Sequence, residues 1–335
     1  MKSQAMVMRQ VGKPDVLFSR AIELPWPGDE DGVLVRLHAA SINPADVYFR
    51  GVGPYLSDGV GCVLGHDGAG VVEAVGSGVT RFEPGERVCF CNGGIGGDSG
   101  TYAAHAVVPE SLLVPIPGNV SFAEAAALPL VFITIWESLC ERAQVTEGEH
   151  VLVHAGAGGT GHIGVQVAHL LGARVATTVS TREKADLVTK LGADRPILYR
   201  EEDFVAAALD WTGGHGLDVV LDNVGGEVLK RSFDAMAVYG RAVTLIELPG
   251  DTEEMSAYNK NLTIANVMML TPMWYGMRER MQEQAAMVAR GMAWLAEGQL
   301  RVCVGETFPL EEVAQAHRRI EAGGVTGKIV LTMDA

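Results

Sequence analysis

His150-Val-Leu-Val-His154-Ala155-Gly156-Ala157-Gly158-Gly159-Thr160-Gly161-His162-Ile163-Gly164-Val165 is the stretch whose reading decides the fold. A short apolar run ends in a glycine cluster, and apolar residues at helical spacing continue from Gly161 to Leu171. That is a buried strand, a tight turn and a helix. Gly156, Gly158 and Gly161 fit G-x-G-x-x-G, and the position between strand and helix gives the pattern its meaning. The first glycine permits the turn, the second lets backbone approach a pyrophosphate, and the third lets helix pack on strand. The helix N-terminus offers free N–H groups and positive dipole to the anion.

Working outward toward the C-terminus, the same alternation repeats. Arg174-Val-Ala-Thr-Thr-Val179 reads as the next strand and Thr181–Leu191 as the next helix. Further strands are expected at Pro196–Tyr199, Leu217–Leu221 and Arg241–Ile246, with helices between. Strands alternating with such helices imply a parallel sheet covered on both faces. An NAD site places a carboxylate about 20 residues after the glycines, on the ribose hydroxyl. Here Ser180 holds that place, followed by Thr181, Arg182, Glu183 and Lys184. Hydroxyls and cations there favour NADPH.

Working outward toward the N-terminus, the chain changes character near residue 120. Gly32–His38, Gly70–Val75 and Arg87–Phe90 read as short strands separated by glycine and proline, hence a mainly β domain. Ser121-Phe-Ala-Glu124 is a capping box that opens the helical region. After a long helix over Arg278–Glu297, short strand-like pieces end in Gly327-Lys-Ile-Val-Leu-Thr332, read as a return to the first domain. The fold class is therefore α/β. A β domain spans 1–122, completed by 272–335, and a dinucleotide-binding domain spans 123–271.

Composition narrows the partners. The 335 residues carry a net charge of −15, which repels polyphosphates and argues against nucleic acid. No apolar run reaches the length of a membrane span, and Met1–Gln10 lacks the pattern of a secretory signal. The five scattered cysteines, Cys62, Cys89, Cys91, Cys140 and Cys303, suggest no disulfide framework, so a reducing cytoplasm is expected. Cys89-x-Cys91 reads as packing within a strand rather than as a metal site. The apolar segment Asn261–Leu270 reads as a long strand whose open edge needs cover, so a homodimer is expected. Met268–Met277, rich in methionine and aromatics, reads as a substrate wall, a core or an interface.

Several motifs together resemble the medium-chain dehydrogenase/reductase superfamily, in its zinc-free quinone oxidoreductase (zeta-crystallin-like) branch. They are Ser41-Ile-Asn43-Pro-Ala-Asp46-Val-Tyr48-Phe-Arg50, Gly65-His66-Asp67-Gly-Ala-Gly70, Pro84–Val88, Ala125–Pro129 with Thr134, the glycine cluster, Asp222-Asn223-Val-Gly225 and Thr326-Gly-Lys328-Ile-Val-Leu331. The resemblance covers nearly the whole chain. It implies a GroES-like catalytic domain, a Rossmann domain, and edge-to-edge joining of two Rossmann sheets. It also implies that Lys184 and Tyr199, beside Ser180, hold a 2′-phosphate. Asn43, Asp46, Thr134, Gly156, Gly158, Gly159, Thr160, Gly161, Asn223 and Lys328 are the remaining cofactor contacts it suggests.

The alcohol dehydrogenase branch needs three zinc ligands with one position open. Here the resemblance places Asn43 and Leu130 at two of them, and only His66 remains. No metal is therefore expected. Without a Lewis acid, a quinone or conjugated enone is the suitable acceptor, because its product anion is delocalised. Asn43 and Tyr48 are the catalytic candidates, Tyr48 either as proton donor or as pocket wall. Two alternatives stay open: a zinc-type alcohol dehydrogenase and a non-catalytic NADPH-binding protein.

Overall fold

The computed structural model describes residues 1–26, 30–56, 60–97, 100–246 and 255–333. The chain forms two compact units, Met1–Leu130 with Leu270–Ala335, and Val131–Met269. The helix Phe122–Ala127, opened by the Ser121–Glu124 capping box, packs on the strands Gly32–Ile42 and Asp67–Val75. The first unit therefore runs past residue 122.

In the Val131–Met269 unit, six parallel strands lie in the order Arg195–Leu198, Arg174–Val179, His150–Val153, Leu217–Asp222, Met236–Thr244, Thr263–Asn266. Counted along the chain this is 3-2-1-4-5-6, the dinucleotide-binding order. The direction of winding reverses between His150–Val153 and Leu217–Asp222, so a crevice opens at their carboxyl ends. The central strands are buried on both faces, which explains their unbroken apolar runs. Leu152, Ile197, Val220 and Phe233 belong to one core cluster. Each such side chain contributes roughly 1.5–3 kcal/mol on burial.

The expected long strand over Asn261–Leu270 is shorter. Only Thr263–Asn266 pairs, at the sheet edge, with side chains largely exposed, while Met269 and Leu270 turn into the core. Its apolar residues serve two different surroundings, which composition alone does not separate.

The other unit is built on a seven-stranded sheet centred on Gly32–Ile42, which pairs antiparallel with Asp67–Val75 and His105–Pro109. The C-terminal strand Lys328–Thr332 joins it, Ile329 opposite Ile42. That pairing carries Lys328 to the foot of the helix Pro44–Val52. No helix among the described residues is long and apolar enough to cross a membrane.

Candidate active site

The glycine loop is set by backbone. Ala155 sits in the left-handed region at φ 55°, where its N–H donates to Thr178 Oγ1 at 3.0 Å. His154 beneath it is buried, with Nδ1 3.1 Å from Thr178 Oγ1 and Nε2 2.9 Å from Ser232 Oγ. Ser232 Oγ donates to Val228 O, so it accepts from Nε2–H, and His154 Nδ1 accepts from Thr178. Burial pushes His154 down to about 4, which keeps the ring neutral.

A Cβ on Gly156 would lie 1.9 Å from Thr177 Oγ1, and one on Gly161 would lie 2.1 Å from Ala155 O. A Cβ on Gly158 would meet only Ala155 O, at 3.2 Å. The backbone N–H groups of Ala157, Gly159 and Thr160 find no acceptor among the described residues. A cradle with open donors at a helix N-terminus fits a pyrophosphate. Across the switch point, Asn223 Nδ2 donates to His154 O at 2.7 Å, and Thr160 Oγ1 donates to Asn223 Oδ1 at 3.0 Å. Asp222 accepts from Val224 N, Gly225 N and Thr244 Oγ1, fixing the turn that carries Asn223. Thr134 is buried in the helix Pro129–Trp136, and its carbonyl accepts from Ser138.

Ser180 follows the second strand, half-buried, and Thr181 caps the next helix by accepting from Lys184 N. Tyr199 is exposed, and its N–H reaches Val179 O at 3.3 Å, which brings the ends of the second and third strands together. Ser180 and Tyr199 thus follow the ends of adjacent strands, and Lys184 lies in the first turn of the helix after Ser180. Arg182 pairs with Glu201 on the surface, a contact of little energetic weight.

In the first unit the residues after Asn43 form a helix, Pro44–Val52. Asn43 and Asp46 form a capping box, with Pro44 in the first turn. This signal was present in the sequence and decides which residues meet. Helical spacing turns Asp46, Phe49 and Arg50 inward and leaves Tyr48 63% exposed. Asn43 and Asp46 come together, and Tyr48 does not join them.

Asp46 accepts from Asn43 N at 2.7 Å, Gly65 N at 3.1 Å and His66 Nδ1 at 2.7 Å. Burial alone would raise its pKa, but the charge and hydrogen bond of His66 and the Asn43 N–H outweigh it and hold the carboxyl below its usual range. Asn43 Nδ2 donates to Asp67 Oδ2 at 2.8 Å, and Lys328 Nζ donates to Asn43 Oδ1 and to Ile42 O. Asp67 Oδ1 accepts from Leu130 N at 2.8 Å. Burial pushes Asp67 up to about 6, against the opposing charge of Lys328. Asn43, Asp46, His66 and Asp67 are fully buried and Lys328 nearly so. Both ends of the Asn43 amide are occupied by protein, as are the polar atoms of Asp46. These groups hold one another rather than presenting a surface.

The residues at the three ligand places make a poor zinc site. Asn43 is engaged as described, Leu130 contributes a backbone N–H to Asp67, and only His66 Nε2 is buried without a partner. No group of three or more His, Cys, Asp or Glu among the described residues could hold a metal ion. Burial raises Cys89 and Cys91, the charge of Asp67 adding to it, so both thiols stay protonated.

A second buried network went unread in the sequence. Arg50 Nη1 lies 3.1 Å from His317 Nδ1, and His317 Nε2 lies 3.0 Å from Tyr102 Oη. Arg50 Nε donates to Gly12 O, and Nη2 pairs with Glu321. Burial pushes His317 down to about 4. Its signal was the spacing Val313, Ala316, His317 on one helical face.

Residues 29–118 match the family model described as alcohol dehydrogenase GroES-like domain, and residues 191–331 match zinc-binding dehydrogenase. The chain is 33% identical to a 2-haloacrylate reductase of a Burkholderia species, over 99% of each protein. It is 34% identical to a quinone oxidoreductase of Pseudomonas aeruginosa, over 96% of each. The crystal structure of Escherichia coli quinone oxidoreductase complexed with NADPH superposes with a TM-score of 0.85 at 28% identity, covering 99% of both chains.

Proposed function

Because the chain belongs to the medium-chain dehydrogenase/reductase superfamily, in its quinone oxidoreductase-like branch, we propose that it is an NADPH-dependent reductase of quinones or conjugated enones that works without a metal. The observation that carries the metal-free reading is the Asn43 amide, bonded at one end by Lys328 and at the other by Asp67. A neutral amide whose oxygen already accepts from a lysine ammonium is a poor ligand for a second cation.

Gly156, Gly158, Gly159, Thr160 and Gly161 would hold the pyrophosphate, with Asn223 and Thr134 toward the nicotinamide end. Ser180, Lys184 and Tyr199 would hold the 2′-phosphate, and the absence of a carboxylate at Ser180 supports NADPH over NADH. When bound, the reduced nicotinamide supplies a hydride. The protein then has to position the acceptor and tolerate the anion that develops on it. Asn43, Asp46 and Lys328 do this indirectly, by fixing the Pro44–Val52 helix from within. Tyr48, on the free face of that helix, is the proton donor this reading assigns to the product. We further place the protein in the cytoplasm, in keeping with its free cysteines, and as a homodimer joined at the Thr263–Asn266 edge.

A panel of quinones, enones, saturated ketones and alcohols with NADPH and NADH, run beside elemental analysis of the same preparation, tests this reading. NADPH oxidation by quinones or enones with far less than one zinc per chain is the expected result. Stoichiometric zinc lost together with alcohol oxidation would establish the zinc-type dehydrogenase instead. Tight NADPH binding with no turnover of any acceptor would establish a binding protein.

A further inference from the structure

The segment Thr271–Tyr275 is part of the same unit as the Pro44–Val52 helix, and it faces that helix with aromatic rings. Tyr55 stacks on Trp274 with ring centroids 4.7 Å apart and planes inclined by 14°. Phe49, buried, packs T-shaped against the same indole at 6.2 Å and 71°. Tyr275 tilts toward Tyr55 at 6.3 Å, their hydroxyls 3.5 Å apart. Tyr55 and Tyr275 remain 49% and 68% exposed, and Tyr48 adjoins Phe49 at 5.8 Å. Exposed aromatics gathered in this way mark a binding face more often than a scattered surface does.

A flat ring lying where Tyr55 lies would keep the stacking on the Trp274 face. A small open-chain enone has the carbonyl but no ring face to stack. Offset stacking at such spacing is favourable beyond the area it buries.

We propose that Trp274 is the platform that selects flat, fused-ring carbonyl acceptors, and that Tyr55 covers this platform until such an acceptor replaces it. The proposal rests on the reductase reading for its chemistry, but the platform itself is a matter of binding. The two substitutions it concerns have opposite signs. Removing Trp274 takes away the face, whereas removing Tyr55 takes away its competitor.

The test compares a dimethylnaphthoquinone, whose blocked ring carbons resist thiol addition, with methyl vinyl ketone. The ratio of their kcat/KM values is measured for the unmodified enzyme, Trp274→Leu, Trp274→Phe and Tyr55→Ala at saturating NADPH. Binding of the naphthoquinone without cofactor is followed in parallel by equilibrium dialysis. Trp274→Leu should lower both the ratio and the binding by about two- to tenfold. Trp274→Phe, which keeps a ring face, should recover most of the loss, and Tyr55→Ala should raise both quantities. An unmoved ratio in Trp274→Leu, or a lowered one in Tyr55→Ala, overturns the proposal. If neither acceptor is turned over, the reductase reading falls, and the dialysis still decides whether the platform exists.

Discussion

The glycine loop of the Val131–Met269 unit and the buried cluster around Asn43 both hold polar groups still, and they do so by opposite means. In the loop, missing side chains let the backbone be approached closely, Gly156 by the Thr177 side chain and Gly161 by the Ala155 backbone. In the cluster, polar and charged side chains from distant parts of the chain bond one another, with only His66 Nε2 left over: Asn43, Asp46, His66, Asp67 and Lys328. The loop exposes its donors and the cluster consumes them. A backbone site can therefore serve as a ligand cradle, while a self-satisfied cluster serves as a foundation.

The comparison breaks most directly at Lys328. Lys328→Met leaves Asp67 buried beside Asn43 with its compensating charge removed, and losing one member of a buried charged pair costs about 3–5 kcal/mol. Chemical denaturation should show a loss of that size, with part of it recovered in Lys328→Met combined with Asp67→Asn. A loss under about 1 kcal/mol would mean the cluster is not cohesive.

Acid should separate the two regions next. His154 titrates at about 4 in the fold and near 6.5 unfolded, so the native state binds fewer protons between those values. Its contribution is complete above pH 6.5 and fades as pH falls toward 4, on the order of 3 kcal/mol in all. His317 behaves likewise. Asp67 has the opposite sign: at about 6 in the fold against 3.8 for the unfolded group, it penalises the fold above pH 6 and relieves it on acidification. His317 and Asp67 share a unit and largely offset one another. Hydrogen exchange from pH 7 to 4.5 should therefore show the Rossmann strands losing protection before the Gly32–Ile42 sheet. Simultaneous loss would contradict this assignment.

Gly156→Val puts a branched side chain where even a Cβ has no room, and NADPH affinity should fall by about 100-fold in a fluorescence titration, since overpacking typically costs 1–3 kcal/mol. Native-like affinity would show that the loop can move aside. The smallest effect sharpens cofactor choice. Lys184→Ala should weaken NADPH about tenfold, as one charge-assisted contact does, and leave NADH within about twofold. Equal losses would place the 2′-phosphate elsewhere.

The same contrast explains what was legible in the sequence. A glycine loop is local: strand, turn and helix lie within one short stretch, and its spacing carries the geometry. The alternation of strands and helices around it is local as well, and the parallel sheet followed, though its strand order did not. The cluster is not local, since Lys328 reaches Asn43 only because the last strand pairs with Gly32–Ile42. Asn43, Asp46 and Tyr48 could be named from their motif, and the cap of Asn43, Pro44 and Asp46 also carried the helix that turns Tyr48 away from the other two. The apolar count of Asn261–Leu270 read as one strand, because hydrophobicity reports burial without saying in which element. Arg50, His317 and Tyr102 come from three remote segments, and no single spacing joins them.

The helix Pro44–Val52 is tied at both ends, by the Asn43–Asp46 box at its start and by Arg50, bonded to Gly12, His317 and Glu321, near its finish. A rod pinned at two points does not pivot. Whatever motion Tyr48 brings to an incoming molecule is then rotation about its own side-chain bonds, which at an exposed position runs on about the picosecond-to-nanosecond scale. Hinge motions of helices are slower by orders of magnitude. The hydroxyl is thus available almost at once to anything that arrives, and arrival itself becomes the slower event.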